Sequence, residues 1–479
     1  MGIRVWRLGR SGCQRRERGA LLPRVEPAVA AKLSWPRTRA WPVLGHLPGM
    51  ISLGLIPFVD QAWRQLGDCF EFGVAGETIK VVVHPDDAES LLLRRRDKYA
   101  KGGSYDQFRR HVGTGLIGAE GQAWRTERRI IQPSFTRSTI AKLSDQMVAQ
   151  TDRMLERWAQ TVPPGEAFDV HPELMRLTLE IIAESLFELT FDGQEGALDM
   201  QAISDAVELI SQRVTAVAEF PSWVPTPGNR RLERAVAGLN RVVRQIIDHR
   251  RASGEDRDDL LGALLRGRDD NGAALEYEQL RDEVVTMVVA GHETTAVALG
   301  WTLWLLSQHP DLRARMIEEI DGALGGRAPT SADLAKLGYV KQVARESMRL
   351  IPPTWAVARN CVTADTLGPG HPVEPGVRVM HMIWLTHRHP EFWPDPERFD
   401  PDRFEPEVFA KQHKFAYTPF SEGPRKCIGE HFSTVELMLV LTRLFQRFDL
   451  EAAPGFTPEI DYQLTTRPRT GIMMRRRER

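Results

Sequence analysis

The stretch from Val284 to Leu306 restricts this chain more than any other segment. It is apolar and long enough to cross a bilayer, yet Gly291, His292, Glu293, Thr294 and Thr295 sit near its middle. An acidic residue at mid-membrane costs roughly 2.5–3.5 kcal/mol on insertion scales, so the stretch predicts a long buried helix in a protein without a membrane span. Burying such a helix requires a large body around it, and 479 residues supply one. Hydrophobic residues at 42% and charged residues at 27% give that body the balance of an ordinary globular protein. The polar residues at the helix centre must then be paired, hydrated or put to use.

Sixty-three Lys plus Arg against sixty-four Asp plus Glu leave a net charge of −1, which removes the electrostatic footprint of a nucleic-acid binder. Residues 1–40 differ from the rest: Arg4, Arg7, Arg10, Arg15, Arg16, Arg18, Arg24, Lys32, Arg37 and Arg39 face only Glu17 and Glu26, with no sustained apolar run. The segment reads as a basic, disordered tail rather than a secretory signal or anchor; a transit peptide or a mis-assigned start are the alternatives. Cys13, Cys69, Cys361 and Cys427 form no CxxC pair and suggest neither a disulfide framework nor a zinc cluster.

Residues 41–479 read as a single unit, mainly α with a small β part. Helical periodicity marks 138–160, 174–189, 231–251, 280–307 and 312–324, a last helical run covers 428–448, and 78–83 reads as a strand. Gly113-x-Gly115-x-x-Gly118 has the spelling of a dinucleotide-binding loop. That motif needs a preceding buried strand, and Gln107-Phe-Arg-Arg-His111 is not one. A flexible loop leading to the helix around Trp124 is the better account.

The strongest chemical signal is Phe420-Ser-Glu-Gly423-Pro-Arg425-Lys-Cys427-Ile428-Gly429, placed between coil and an amphipathic helix. A cysteine just before a helix lies at the positive end of its dipole, which favours the thiolate. Gly423 and Gly429 are expected to let backbone amides approach the sulfur, Arg425 to add positive charge, and Phe420 to exclude water. The loop resembles the haem-binding loop of the cytochrome P-450 superfamily. That resemblance makes Cys427 the iron ligand and leaves Cys13, Cys69 and Cys361 structural.

The resemblance extends from Trp41 to the C-terminus through five motifs in order. Ala290-Gly291-His292-Glu293-Thr294-Thr295 looks like the family's distal acid-alcohol pair, with Glu293 the acid, Thr294 the alcohol and Thr295 a lesser hydroxyl; a plain Thr-rich packing helix is the bland alternative. Physically, Thr294 can bond the Ala290 carbonyl and bend the helix, while Gly291 is expected to add room beside it. A hydroxyl beside a carboxylate suits proton delivery. Glu346 and Arg349, chosen over other Glu-x-x-Arg strings because Pro352-Pro353 and Phe399-Asp-Pro-Asp-Arg403-Phe404 follow, resemble the family's structural triad with Arg403; Arg398 lies one step too early. Trp124-x-x-x-Arg128 resembles the propionate clamp, and Arg359 matches a second propionate ligand. Glu293 stands where Asp is commoner and Ser433 where Ala is frequent.

The implied fold sandwiches haem between a long distal helix and a proximal Cys loop, and Ala290, Gly291, Phe420, Gly423, Arg425, Ile428 and Gly429 belong to the cofactor site. The implied substrate pocket draws on 102–118, 220–227, 285–290, 354–357 and 463–465, with Val285, Val289, Trp355 and Leu464 as apolar contacts. The implied enzyme is a cytoplasmic, monomeric oxidoreductase, a monooxygenase using haem b and dioxygen to hydroxylate or epoxidise a hydrophobic small molecule. No flavin or iron–sulfur segment fits, so electrons from NAD(P)H are expected through a separate ferredoxin with its reductase, or a flavodoxin-type donor. Arg125, Arg129 and Lys426 are candidates for its docking face. A haem-thiolate isomerase, dehydratase or peroxygenase, which usually lacks the acid-alcohol pair, and a haem-based sensor remain the alternatives.

Overall fold

The structure, a computed structural model, describes residues 34–38, 40, 44–74, 76–188, 200–214 and 223–479. Most of the basic segment 1–40, Cys13 and part of the predicted pocket segment 220–227 therefore lie outside the described residues. Helices built around one central rod form most of the body, with short strands along one side.

The rod is the distal helix Tyr277–Gln308, buried along nearly its whole length. Glu276 and Gln279 close a reciprocal capping box at its start, and Pro310 opens the next helix, Pro310–Leu324, so the rod overruns the expected 280–307 at both ends. Val170–Phe187 lies alongside it: Thr178 donates from Oγ1 to the His292 carbonyl at 2.8 Å. Asp169 caps that helix by accepting from the His171 amide at 3.0 Å, which moves its start ahead of the predicted Leu174. Thr136 and Thr226 cap the helices Arg137–Thr161 and Pro227–Ser253 in the same way.

The proximal helix, Glu430–Arg447, packs between Arg137–Thr161 and the rod. It begins at Glu430 rather than Ile428, because Gly429 is its cap and Cys427 still belongs to the loop. The helix expected around Trp124 spans Gly121–Ile131, and Met200–Val214 and Gly338–Leu350 are helices for which the sequence reading gave no bounds.

The main sheet runs Cys69–Val74, Glu77–Val82, Arg378–His381, Val357–Cys361, Tyr99–Ala100; only the pairing of Glu77–Val82 with Arg378–His381 is parallel. A small hairpin, Ile460–Tyr462 with Thr466–Pro468, returns its turn toward the rod. Gly113–Gly118 follows the helix Asp106–Val112, so no strand precedes the glycine motif and a dinucleotide fold is absent at that point.

Candidate functional site

Rod, sheet, hairpin and Cys loop enclose a chamber of about 710 Å³. The Cys427 thiol opens onto this chamber although protein surrounds it on every side. Its backbone amide donates to the Phe420 carbonyl at 3.0 Å, which closes the loop around the sulfur. Burial pushes the thiol above its ordinary pKa; the Gly429 amide, Arg128 and Lys426 favour the thiolate, and Glu430 opposes it. The protein alone therefore does not make the thiolate expected from a helix-start position, because loss of hydration outweighs the donors. A coordinated cation would remove the proton outright.

Two details of the loop correct the sequence reading. Gly423 has φ +77°, and a Cβ there would lie 2.2 Å from the Leu92 carbonyl, so its glycine serves close packing on the segment Ser90–Arg94 rather than an approach to sulfur. Arg425 is directed away from the sulfur. It stacks on Trp124 at 4.1 Å and donates to the Ala119 carbonyl at 2.7 Å. Phe420, Ile428 and Gly429 line the chamber as expected.

Cations gather at one edge of the chamber. Arg128, one turn beyond Trp124, lines it and donates to the Lys426 carbonyl at 3.0 Å. Arg359 is buried beside Lys101 and Arg425, behind the chamber wall, and donates to its own neighbour's carbonyl, Ala358, at 2.8 Å. Lys101, absent from the sequence reading, is buried, lines the chamber and lies 4.5 Å over the Tyr105 ring. Burial and the Arg359 and Arg425 charges hold its pKa well below the ordinary lysine value, and burial with Arg359 brings the Arg425 guanidinium down to about 10. Glu120 and Glu127 face this group, and Glu120 accepts from the backbone amides of Lys101 and Gly102. A large enclosed space, a thiol opening into it and an excess of buried cations at its edge fit a haem with two propionates. The signal for Lys101 was weak: one lysine in a glycine-rich loop has no periodicity to mark it.

On the rod, Thr294 donates from Oγ1 to the Ala290 carbonyl at 2.7 Å, the back-bond anticipated from the sequence. Ala290, Gly291, Glu293, Thr294 and Thr295 all reach the chamber. The space beside Gly291 is not free: a Cβ there would lie 2.6 Å from Ile182 Cδ1, so the glycine admits a neighbouring helix's side chain. Glu293 is almost fully buried and turns toward the hairpin, where Oε1 accepts from Thr465 Oγ1 at 2.9 Å and lies 3.1 Å from Arg467 Nε. Burial raises its pKa, while Arg467 and Thr465 oppose the rise. Thr295 shares a 3.1 Å hydrogen bond with Ser433 on the proximal helix, so the serine in place of alanine ties the two haem-facing helices together.

Of the four apolar contacts, Val289, Trp355 and Leu464 line the chamber and Val285 does not. Thr286 and Met287 stand there instead, because the chamber-facing stripe passes through 286, 290 and 293, and Val285 lies about 100° off it. Tyr105, Phe108, Leu116 and Ile117 supply the wall expected from residues 102–118.

Beneath the proximal helix, Glu346 and Arg349 are fully buried and doubly bonded at 2.6 and 2.8 Å. Arg349 also donates to the carbonyls of His387, Pro396 and Arg398. Arg403 is the looser member, 3.6 Å from Glu346 and donating to the Asp395 carbonyl. Arg398 contributes only its carbonyl, its side chain being 70% exposed. On the outer face behind the Cys loop, Arg125 and Arg129 are exposed, Arg129 pairs with Asp270 at 2.8 Å, and Lys426 lies between Glu422 and Glu430, both at 2.9 Å. A depression at Lys426 is lined by Lys341, Arg345 and Lys414 as well. Cys69 donates to Asp87 and Cys361 to the Thr363 carbonyl, both away from the chamber.

Comparisons with known proteins agree with this geometry. The sequence model of the family described as Cytochrome P450 matches residues 36–475. Cyclooctat-9-en-7-ol 5-monooxygenase of Streptomyces melanosporofaciens is 34% identical over 92% of this chain and 95% of its own length. Pentalenene oxygenase of Streptomyces avermitilis is 31% identical over 84% of this chain and 91% of its own. The crystal structure of the cytochrome P450DA heme domain superposes with a TM-score of 0.84 at 28% identity, covering 94% of this chain and 99% of that one.

Proposed function

Because the chain belongs to the cytochrome P450 family and is a haem-dependent monooxygenase of hydrophobic small molecules, we propose that its substrate is a bulky, rigid hydrocarbon skeleton of terpenoid type. The observation that carries this reading is the wall of the chamber onto which Cys427 opens: Phe72, Phe108, Val289, Trp355, Met380 and Leu464 make it predominantly apolar, within a volume of about 710 Å³. Two relatives are named for oxidations of such skeletons, which supports the choice.

In this reading Cys427 would bind the haem iron, and Arg128, Arg359, Arg425 and Lys101 would hold the propionates. When bound, the haem supplies reductive activation of dioxygen, one atom entering the substrate and the other leaving as water. Phe420, Trp355 and Leu464 exclude bulk water from that chemistry. Thr294 holds a proton at Oγ1 on a bond to Ala290, and its free lone pairs accept a replacement. Glu293, the next residue N-terminal on the rod and raised in pKa by burial, is the carboxyl we assign to supply one. Glu346, Arg349 and Arg403 keep the proximal core in place and take no part in the reaction.

Electrons come from a separate redox partner. We assign it as an acidic ferredoxin or flavodoxin fed by NAD(P)H and docking on Arg125, Arg129, Lys341, Arg345 and Lys414, where complementary charge would steer encounter. We further take residues 41–479 as one domain of a cytoplasmic monomer.

Two measurements test the proposal. Reduced protein under carbon monoxide should absorb at the red-shifted position of thiolate-ligated haem, and Cys427→Ala should abolish that band while leaving far-ultraviolet dichroism intact. Titration with cyclic sesquiterpene hydrocarbons and cyclic diterpene alcohols should change the iron spin state; a response confined to straight-chain fatty acids would overturn the substrate class.

A further inference from the structure

The glycine motif 113–118 has a use that differs from both its spelling and the flexible loop expected of it. Its backbone is fastened on two sides by groups of opposite sign. The Thr114 amide donates to Asp282 Oδ2 at 2.6 Å, the Thr114 hydroxyl donates to the same oxygen at 3.2 Å, and the Leu116 amide donates to Glu283 Oε2 at 3.1 Å. Both acids belong to the rod. On the other side the carbonyls of Ile117, Gly118 and Ala119 accept from Lys101, Arg109 and Arg425.

The glycines are what permit this approach. A Cβ on Gly113 would lie 2.2 Å from the Asp282 carboxyl, and one on Gly115 would lie 2.5 Å from Thr286 Oγ1 and 2.6 Å from the Asp282 carbonyl. Gly118 would meet the Gly113 carbonyl at 2.8 Å. The spacing thus encodes a strap pressed onto a helix rather than a phosphate cradle.

Behind the strap, Glu127 of the helix Gly121–Ile131 places its carboxyl against that of Glu283, both buried, while Glu127 Oε2 and Glu283 Oε1 have no other hydrogen-bond partner among the described residues. Burial raises both carboxyls; the Glu283 charge raises Glu127 further, while the Leu116 amide and the hydrogen bond with Glu127 hold Glu283 lower, so the pair holds a proton, with Asp282 and Arg425 the other charges facing it. The strap carries Leu116 and Ile117 into the chamber wall, next to Thr286 and Met287.

We propose that Asp282 and Glu283, backed by Glu127, are specificity-determining positioning residues: they set how far Leu116 and Ile117 project over the substrate by fixing the strap to the rod. The inference rests on the reading of the chamber as the substrate site. Lys101 and Arg425 serve both the strap carbonyls and the proposed propionate edge, so the strap also links that edge to the wall above the substrate.

The test uses the haem-loaded full chain and three variants. Glu283→Leu removes the acceptor for the Leu116 amide, Glu283→Gln keeps one, and Gly115→Ala lifts the strap from its own side should the leucine variant fail to fold. Hydrogen exchange of residues 108–119 is read without any ligand, so it stands whether or not the substrate proposal does. Glu283→Leu, or Gly115→Ala in its stead, should speed that exchange about tenfold, as expected for one lost bond to a buried carboxyl. It should also change the affinity for 4-phenylimidazole severalfold while leaving that for imidazole, which needs only the iron, unchanged; Glu283→Gln should restore both. Unchanged exchange in the strap, or faster exchange with an unaltered ratio of the two affinities, would overturn the proposal.

Discussion

Replacing Arg349 by leucine is the sharpest single perturbation available in the proximal core. The guanidinium is fully buried and bonds Glu346 at 2.6 and 2.8 Å, the His387 carbonyl at 2.9 Å, the Pro396 carbonyl at 2.7 Å and the Arg398 carbonyl at 3.1 Å. Its removal leaves the Glu346 carboxylate buried with the Asp400 amide at 2.8 Å and Arg403 at 3.6 Å as its remaining partners. Stranding one member of a buried pair costs about 3–5 kcal/mol. Three carbonyls that lose a donor add about 1 kcal/mol each. The sum, about 6–8 kcal/mol, rivals the whole stability of a typical domain, about 5–15 kcal/mol. Arg349→Leu should therefore yield little haem-loaded protein, and urea unfolding of what is recovered should begin well below the parent's midpoint. The double variant Glu346→Leu, Arg349→Leu removes the stranded charge and should regain about half the loss. Arg403→Ala, acting on a longer contact at a partly open site, should cost about 1 kcal/mol. A single Arg349 variant with a near-parental midpoint, or a double variant worse than the sum of the singles, would refute the charge-stranding argument.

Thr294→Ala removes the hydroxyl that donates to Ala290 and should lower product formed per NAD(P)H consumed severalfold in a reconstituted electron chain, with peroxide accounting for the difference; unchanged coupling would remove the proton role. Burial raises the pKa values of Glu127 and Glu283, and the Glu283 charge raises Glu127 further, so the folded state binds protons more tightly than the unfolded one. Their contribution to stability is full below the ordinary carboxylate range and is lost as pH rises through the raised values, with Asp282 adding to the repulsion and Arg425 opposing it. Melting temperature should accordingly fall from pH 5 to pH 9, and Glu127→Gln should flatten the profile; an equally steep profile in that variant contradicts the assignment. Lys101→Met should relieve repulsion from Arg359 and Arg425 and raise the stability of haem-free protein while speeding haem loss to apomyoglobin. Both changes in the same direction would deny Lys101 a place at the propionates.

The sequence made the long elements legible because their signals are redundant. The rod is apolar over most of residues 284–306, and at its polar interruption Thr294 finds a partner in the Ala290 carbonyl. Side-chain direction was less legible. Val285 and Thr286 differ by one position, yet only Thr286 faces the chamber, and apolar composition gives no phase along a helix that is buried all round. The helices Gly121–Ile131 and Gly338–Leu350 are short, and their buried faces carry Thr126, Glu127, Glu346 and Arg349, so a count of apolar residues alone does not mark their ends. Partners supplied across long sequence separations were invisible in principle: nothing near Glu293 announces Thr465 and Arg467, which arrive from the C-terminal hairpin.

The cysteine and the cations make one electrostatic argument when taken together. Burial works against the Cys427 thiolate, against the Lys101 ammonium and against the Arg425 guanidinium at once, so the bare polypeptide stabilises none of the charges that its loop appeared to offer. Each group is nonetheless held in place by the chain: Cys427 by its amide on Phe420, Arg425 by Trp124 and Ala119, Lys101 by Ile117 and Tyr105. Groups fixed in position but unfavourably ionised are what a dianionic ring with a central cation would reconcile, because its metal opposes the thiolate and its two carboxylates oppose the basic edge. Haem binding should then draw on electrostatic relief as much as on the apolar area it covers. The same relief requires the strap, since two of the four cations proposed to meet the carboxylates also bear its carbonyls. Fixing the cofactor and shaping the wall above it are, on this account, one arrangement of charge shared by Lys101 and Arg425.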